Sequence, residues 1–324
     1  MGSRLTPPLP ADGRSARVAV VIPCFNEGRE VVEAWCSLAH EEPHEAVIVD
    51  DGSDDPETRS VLEILRRSGA TVIRRENGGL AAARGTGVAA TGAPYILPLD
   101  GDDILAPGSL TRLADALDAN EQSVAAWGDL RVFGSLDRID PKGTRIDPWL
   151  LTHVHDLHSG LMIRRDALAA VGGWHDVVFE DWDLTLALAG RGWSGSHVPG
   201  TQVYYRVDEG GLLSHAPYQR GLRQLRGRHG DLFAGRRRLE ASSSVSWPVR
   251  RIFSLIDLLP GAGAAPRAAH KDAILRRSDS RRRVSTPPPG TPEPVVAARR
   301  AAEELIAADR GENPAAAQAG VRRQ

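Results

Sequence analysis

The sequence is short of cysteine, of net charge and of long apolar runs, and each shortage excludes something. Two cysteines in 324 residues, Cys24 and Cys36, cannot form a disulfide framework, so a reducing, cytoplasmic setting is expected. A formal net charge of −2 supplies no overall basic field, and no nucleic-acid partner is expected. Met1–Arg17 has no apolar core of the kind a secretory signal needs. The first apolar run, Val18–Ile22, is far shorter than the roughly 20 residues that cross a bilayer, and no other segment is expected to span one. Internal repeats are absent as well.

What is present is an ordinary globular composition, 41% hydrophobic and 25% charged, long enough for one large domain or two small ones. Through the first hundred residues two periods alternate. Val18–Ile22, Ala46–Val49, Thr71–Ile73 and Tyr95–Leu99 are short, β-branched or apolar runs that read as buried parallel strands. Between them, Glu27–His40, the stretch holding Val61, Leu62 and Leu65, and Gly79–Ala90 carry helical spacing, with Ser53 or Asp54 as a candidate cap. This alternation predicts a mostly parallel sheet flanked by helices on both faces. Further on, strands are expected at Val124–Trp127, Leu161–Ile163 and Val203–Val207, and helices up to Val171, over Trp182–Leu188 and over Leu213–Arg228. Asp137–His158 reads as loop or lid.

Composition divides the chain. Residues 1–16 read as a disordered N-terminus and 17–235 as one catalytic-type domain. Residues 236–324, rich in Arg, Ala and Pro, read as a disordered tail. Two pieces interrupt that tail, a basic and apolar segment at 247–259 and an amphipathic helix at Val295–Asp309. The first either lies on an anionic membrane surface or packs back on the domain.

Ligands of such sheets sit beyond the C-terminal strand ends, and the polar clusters fall there. Asn26 and Glu27 follow the first strand, Asp50 and Asp51 the second, and Asp100, Asp102 and Asp103 the fourth. A strand-end carboxylate such as Asp51 can accept hydrogen bonds from a nucleobase or ribose; turn formation and capping explain it equally. Three carboxylates within four residues repel one another unless a cation relieves them, and oxygen-only ligands suit Mg²⁺ or Mn²⁺. Asn77–Arg84 is a glycine-bearing entry to a helix, a shape that admits phosphate, although it matches neither a Walker nor a Rossmann fingerprint. Arg84 reads either as a phosphate contact or as a solvated arginine. Glu180–Asp183 opens a helix, where acidic residues favour the dipole; that reading is preferred for Asp183. Asp181, between Trp174 and Trp182, is rigidly placed for a general base. His153, His155 and His158 have a spacing that can bind zinc, yet solvation or a mobile acceptor loop is the better reading.

Five blocks in order resemble glycosyltransferase family 2 over roughly residues 17–230: Val20-Val-Ile-Pro-Cys-Phe-Asn-Glu27, Val49-Asp-Asp-Gly-Ser-Asp54, Asn77-Gly-Gly-Leu-Ala-Ala-Ala-Arg84, Leu99-Asp-Gly-Asp-Asp103 and Phe179-Glu-Asp-Trp-Asp183. The resemblance implies a GT-A fold whose half 17–103 binds a nucleotide and whose half 104–235 faces an acceptor, with single-sugar inverting transfer from a nucleotide-diphosphate sugar to an acceptor of unnamed class. It implies that Pro23, Asn26, Glu27, Asp51, Arg84 and Asp100 bind the donor. Asp102 with Asp100 would hold Mn²⁺ or Mg²⁺, and Asp181 would be the base. The family's Tyr-Arg-x-His stretch is here Tyr205-Arg-Val-Asp208, with Asp in place of His. Its processive motif, Gln-x-x-Arg-Trp, is absent. The alternatives are a nucleotidyltransferase, or a catalytically inactive scaffold whose tail is the working part. Ala- and Arg-rich usage points to a high-GC bacterial source; for a member of this family there, polysaccharide or glycoconjugate biosynthesis is expected.

Overall fold

A computed structural model describes residues 16–39, 41–207, 218–258, 264–279, 285 and 290–311. The alternation expected at the start is present: β1 (Val18–Cys24), α1 (Glu30–Cys36), β2 (Glu45–Asp50), α2 (Pro56–Arg67), β3 (Thr71–Arg74), α3 (Leu80–Ala89) and β4 (Tyr95–Pro98). These strands lie side by side as β3-β2-β1-β4, every pair parallel. Every residue of β1 is buried, as a strand covered on both faces requires. Val18, Val20 and Ile22 meet α1, α2 and α4 on one face, whereas Ala19 and Val21 meet α3, α6 and α7 on the other. Helix α3 comes close because Gly87 has no side chain: a Cβ there would stand 2.3 Å from Val21.

The second half is less parallel than expected. It contains β5 (Ile104–Leu105), α4 (Ser109–Asp118), β6 (Ser123–Gly134), β7 (Arg138–Asp140), α5 (Pro148–Leu151), β8 (Met162–Arg164), α6 (Arg165–Ala170), α7 (Glu180–Gly190) and β9 (Ser194–Val207). The sheet continues β4-β8-β6-β9-β5, with β7 on β6. Only β6–β9 is parallel in this half; β4–β8, β8–β6, β6–β7 and β5–β9 are antiparallel. The sheet is therefore mixed. The expected lid at 137–158 holds β7 and α5, the latter capped by Asp147, which accepts from Leu150 N at 3.1 Å. The cap of α2 is Asp55 rather than Ser53 or Asp54; its carboxylate takes Thr58 N at 2.7 Å, and Pro56 starts the helix.

Among the described residues most of 236–311 is helical, and both interruptions expected in the tail, at 247–259 and Val295–Asp309, are helices. After α8 (Tyr218–Arg228) and α9 (Gly230–Ala234) come α10 (Arg236–Glu240), α11 (Trp247–Leu258), α12 (Ala264–Ser278) and α13 (Glu293–Asp309). Averaged composition conceals narrow apolar stripes. Val249, Phe253 and Ile256 form one in α11, buried in part against Trp149 and Leu150 of α5. Val295, Ala298, Ala302 and Ile306 form another in α13. The packing-back reading of 247–258 is therefore the one realised on that face. The opposite face of α11 leaves Trp247, Leu255 and Leu258 at 60, 63 and 77% exposure. No helix among the described residues is long and apolar enough to cross a membrane. Residues 1–15, 208–217 and 312–324, including the start of the expected Leu213–Arg228 helix, lie outside the described residues.

Candidate active site

The parallel register brings the ends of β1, β2 and β4 together, and the turns after them are tied by side chains. Asn26 sits at φ 58°, a left-handed conformation that Asn tolerates. Its Oδ1 accepts from Asp54 N and Asp55 N at 3.0 Å, and its Nδ2 donates to Asp54 at 2.7 Å. Pro23 is buried in β1 directly before this turn. Asp51, buried, accepts from Gly79 N at 2.7 Å, from Gly78 N at 3.1 Å and from the Arg75 guanidinium. Its carboxylate thus shapes the Asn77–Gly79 entry to α3.

Around Gly101 carboxyl groups crowd one another. Glu27 lies directly against this glycine, where a Cβ would come within 1.7 Å of its carboxyl oxygen. Burial, then Asp102 and Asp100, push Glu27 well above the ordinary carboxylate range, and its Oε2 is buried without a hydrogen-bond partner. Burial and Asp100 push Asp102 up to about 7. Asp103 is raised by burial and by Asp102, and accepts from Arg206 N at 2.9 Å. Among the described residues no side chain donates a hydrogen bond to the Asp102 carboxylate. An orphaned carboxyl oxygen and an all-oxygen donor set in a negatively crowded turn fit a hard dication at Asp102 with Asp100. No group of three or more His, Cys, Asp or Glu able to hold a metal is assembled among the described residues. The remaining ligands would come from diphosphate and water. Asp208 lies outside the described residues.

Arg84 is placed differently from the expectation. It is fully buried, donating to Asp100 Oδ1 at 2.6 Å and to Glu180 Oε1 at 2.8 Å. It therefore links the two acidic motifs instead of reaching outward to a phosphate. Ser159 holds the other oxygen of Asp100 at 3.2 Å.

Asp181 and Asp100 both line a cavity of about 210 Å³, together with Arg138, Lys142, His155, Ser159 and Tyr205. Its Oδ1 takes Trp182 N at 2.7 Å, and its Oδ2 stands 3.5 Å from His155 Nδ1. Burial raises the Asp181 carboxyl, with Arg84 opposing. His155 stacks on Trp182 at 5.8 Å and is held neutral, its pKa lowered to about 3 by burial and Lys142. A wider cleft of about 840 Å³ beside α7 and α9 contains none of the acidic motifs, so its size does not make it the reaction site.

The three histidines do not converge. His153 accepts from Lys271 Nζ at 2.8 Å and lies tilted against Trp149, whereas His158 bonds Gly128 O and Gly160 N. Asp183 does more than complement the helix dipole. It is wholly buried and takes hydrogen bonds from His175, Arg228 and His229, which hold it below the usual range although burial alone would raise it. Trp127 and Asp129 brace the acceptor half through Gly143 O and His197. Arg138, Asp140 and Lys142 were not anticipated as site residues, since nothing in Arg138–Lys142 matches a spacing rule. Arg206, also unforeseen, holds Asp102 O and Glu33 at 2.8 and 2.7 Å.

The sequence profile described as glycosyl transferase family 2 matches residues 19–172. Residues 19–172 are a family 2 glycosyltransferase domain. Its first four strands carry four of the five motif blocks, and the block around Asp181 follows just beyond it. Similar curated proteins include the uncharacterized glycosyltransferase EpsJ of Bacillus subtilis, 29% identical over 34% of this chain and 33% of EpsJ. The succinoglycan biosynthesis protein ExoU of Rhizobium meliloti is 32% identical over 40% of each chain. The uncharacterized glycosyltransferase Rv0539 of Mycobacterium tuberculosis is 27% identical over 54% of this chain and 80% of its own. The chain thus spans a third of EpsJ and two fifths of ExoU. Among solved structures, Staphylococcus aureus TarS 1–349 in complex with UDP-GlcNAc superposes with TM-score 0.54. It is 15% identical and covers 91% of this chain and 92% of TarS 1–349. That likeness supports the fold of the family 2 domain, a GT-A fold.

Proposed function

We propose that the protein moves one sugar from a nucleotide-diphosphate donor to an acceptor hydroxyl with inversion. The observation that carries this reading is the shared cavity, whose lining holds both Asp181 and, from the end of β4, Asp100. Pro23, Asn26, Glu27 and Asp51 surround the nucleotide, and Asp51 does so through the Gly78–Gly79 backbone it organises. Asp102 and Asp100 would hold Mn²⁺ or Mg²⁺, which supplies positive charge to the leaving diphosphate. Asp181 accepts the acceptor's proton as its oxygen attacks the anomeric carbon from the side opposite the diphosphate. A raised carboxyl suits this duty, because it binds the proton better than an exposed aspartate.

Thermal shift against UDP, GDP, dTDP and CMP, with and without metal, tests the donor site. Ligand at a hundred times its dissociation constant adds about 2.7 kcal/mol, a rise of roughly 5–10 °C for a domain of this size. One nucleotide is expected to stand out only with metal, and Asp102→Asn to erase the metal-dependent part. No rise with any nucleotide removes the reading.

The same proposal places the protein in the cytoplasm, in keeping with two free buried thiols, and in peripheral contact with membranes through α11. Arg251 lies 5.7 Å over the Trp247 ring, beside the exposed Leu255 and Leu258. Apolar side chains with adjacent cations suit an anionic bilayer surface. Co-sedimentation with phosphatidylglycerol-containing vesicles is expected, lost in Leu255→Asp and weakened by salt. Protein that stays in the supernatant at low salt rejects the contact.

A further inference from the structure

Resting on the transferase reading, we propose that the acceptor is anionic, carrying a phosphate ester or a carboxylate that seats on Lys142 and Arg138. The cavity lining holds two groups of unlike charge: the carboxylates Asp100, Asp103 and Asp181, and the cations Arg138 and Lys142 gathered on Asp140. In the second group a single carboxylate serves three cations. Asp140 Oδ2 is 3.3 Å from Lys142 Nζ and 3.6 Å from Arg138, while its Oδ1 takes the Arg276 guanidinium of α12. Arg276 has a second anion in Asp272 at 2.7 Å; Lys142 has no other carboxylate partner among the described residues. Lys142 is only 9% exposed, and the buried Nε of Arg138 has no hydrogen-bond partner.

A buried ammonium is costly unless its charge and its three donors are answered. Asp140, already shared, answers it in part, and burial still draws the Lys142 ammonium below its usual range. Lys142 is fixed there by its backbone, whose N–H bonds Asp129 Oδ1 at 2.9 Å. A ligand anion is the missing partner. The donor's diphosphate has its own countercharge in the dication that Asp102 and Asp100 would hold, so Lys142 and Arg138 are left for a second anion. The acceptor enters on the Asp181 side, and its charged group falls within reach of Lys142 and Arg138 while its hydroxyl faces Asp181.

The test uses the full chain, saturated with the nucleotide and metal that stand out in the thermal screen, or alone if none does. Glucose, glucose 6-phosphate and glucuronate are titrated by calorimetry. At least one charged sugar is expected to bind about tenfold tighter than glucose, the scale of a hydrogen bond to a charged group. Which charged sugar wins separates phosphate from carboxylate. Lys142→Met brings the preference to near unity, and Lys142→Arg retains it. Arg138→Gln, at a more exposed position, gives a partial loss if the methionine variant does not fold. Equal binding of all three sugars overturns the proposal, as does a charged preference that survives in both Lys142→Met and Arg138→Gln. Nucleotide binding is read separately, so its failure is distinguishable from failure of the anion site.

Discussion

Asp181→Asn lowers sugar transfer by about 10²–10⁴-fold, the contribution of a positioned base, while the nucleotide-dependent thermal shift stays intact. Asparagine keeps the shape of the side chain, and its Oδ1 still accepts from Trp182 N. What it lacks is a place for the acceptor's proton. The pH profile sharpens the expectation. The base works ionised, so activity falls as pH drops through its folded pKa. Burial has raised that pKa, so the acid limb lies above the ordinary aspartate range. The limb should vanish in Asp181→Asn, measured as kcat/KM from pH 4 upward. A variant with unchanged rate or an unchanged acid limb assigns the proton elsewhere.

Removing Arg84 has the largest expected effect on stability. Its guanidinium is wholly buried and ion-paired to Asp100 and Glu180. Breaking a buried pair by deleting one partner costs about 3–5 kcal/mol, so Arg84→Met should melt roughly 6–20 °C lower. The double variant Arg84→Met/Glu180→Gln should recover part of this, because one stranded carboxylate is gone. Glu180 is already pushed up to about 7 by burial and Asp181 with Arg84 opposing. Without Arg84 the stranded carboxyls take up protons more readily, so the deficit narrows as pH falls. A deficit within experimental error at pH 8 would mean the pair contributes little.

The nucleotide half was readable because each parallel strand is a short apolar run ended by a polar cluster. Period and punctuation coincide at Ile22–Pro23, Val49–Asp50 and Leu99–Asp100. The acceptor half resisted for the opposite reason. Strand β9 is held along its length by backbone pairing to β6, so many of its side chains are half-exposed and carry no clean period. Pro199 and Gly200 fall beside its register shift, which left only Val203–Val207 recognisable. Arg84 shows a second limit. An arginine in an Ala-rich helix looks solvent-facing until the fold sets Asp100 and Glu180 beside it. Lys142 and Asp140 are likewise a product of tertiary placement. In the tail, α11 and α13 were legible as the apolar segment at 247–259 and the amphipathic helix at Val295–Asp309, whereas α10 and α12 were hidden by their Arg- and Ala-rich composition.

Helix α13 seals the nucleotide half from far along the chain. It packs on α1 and α2, places Ala302 and Ile306 in the core that holds β1, and pairs Asp309 with Arg67, 242 residues away. Ribosomes add about 5–20 residues per second, so that partner emerges roughly 12–48 s after Arg67 is made. During this interval α1 and α2 show the nascent chain's surroundings an apolar surface that the finished protein hides. Closing so long a loop also slows folding. The half that looks most self-sufficient is therefore the last to be completed, and the most exposed to aggregation during synthesis.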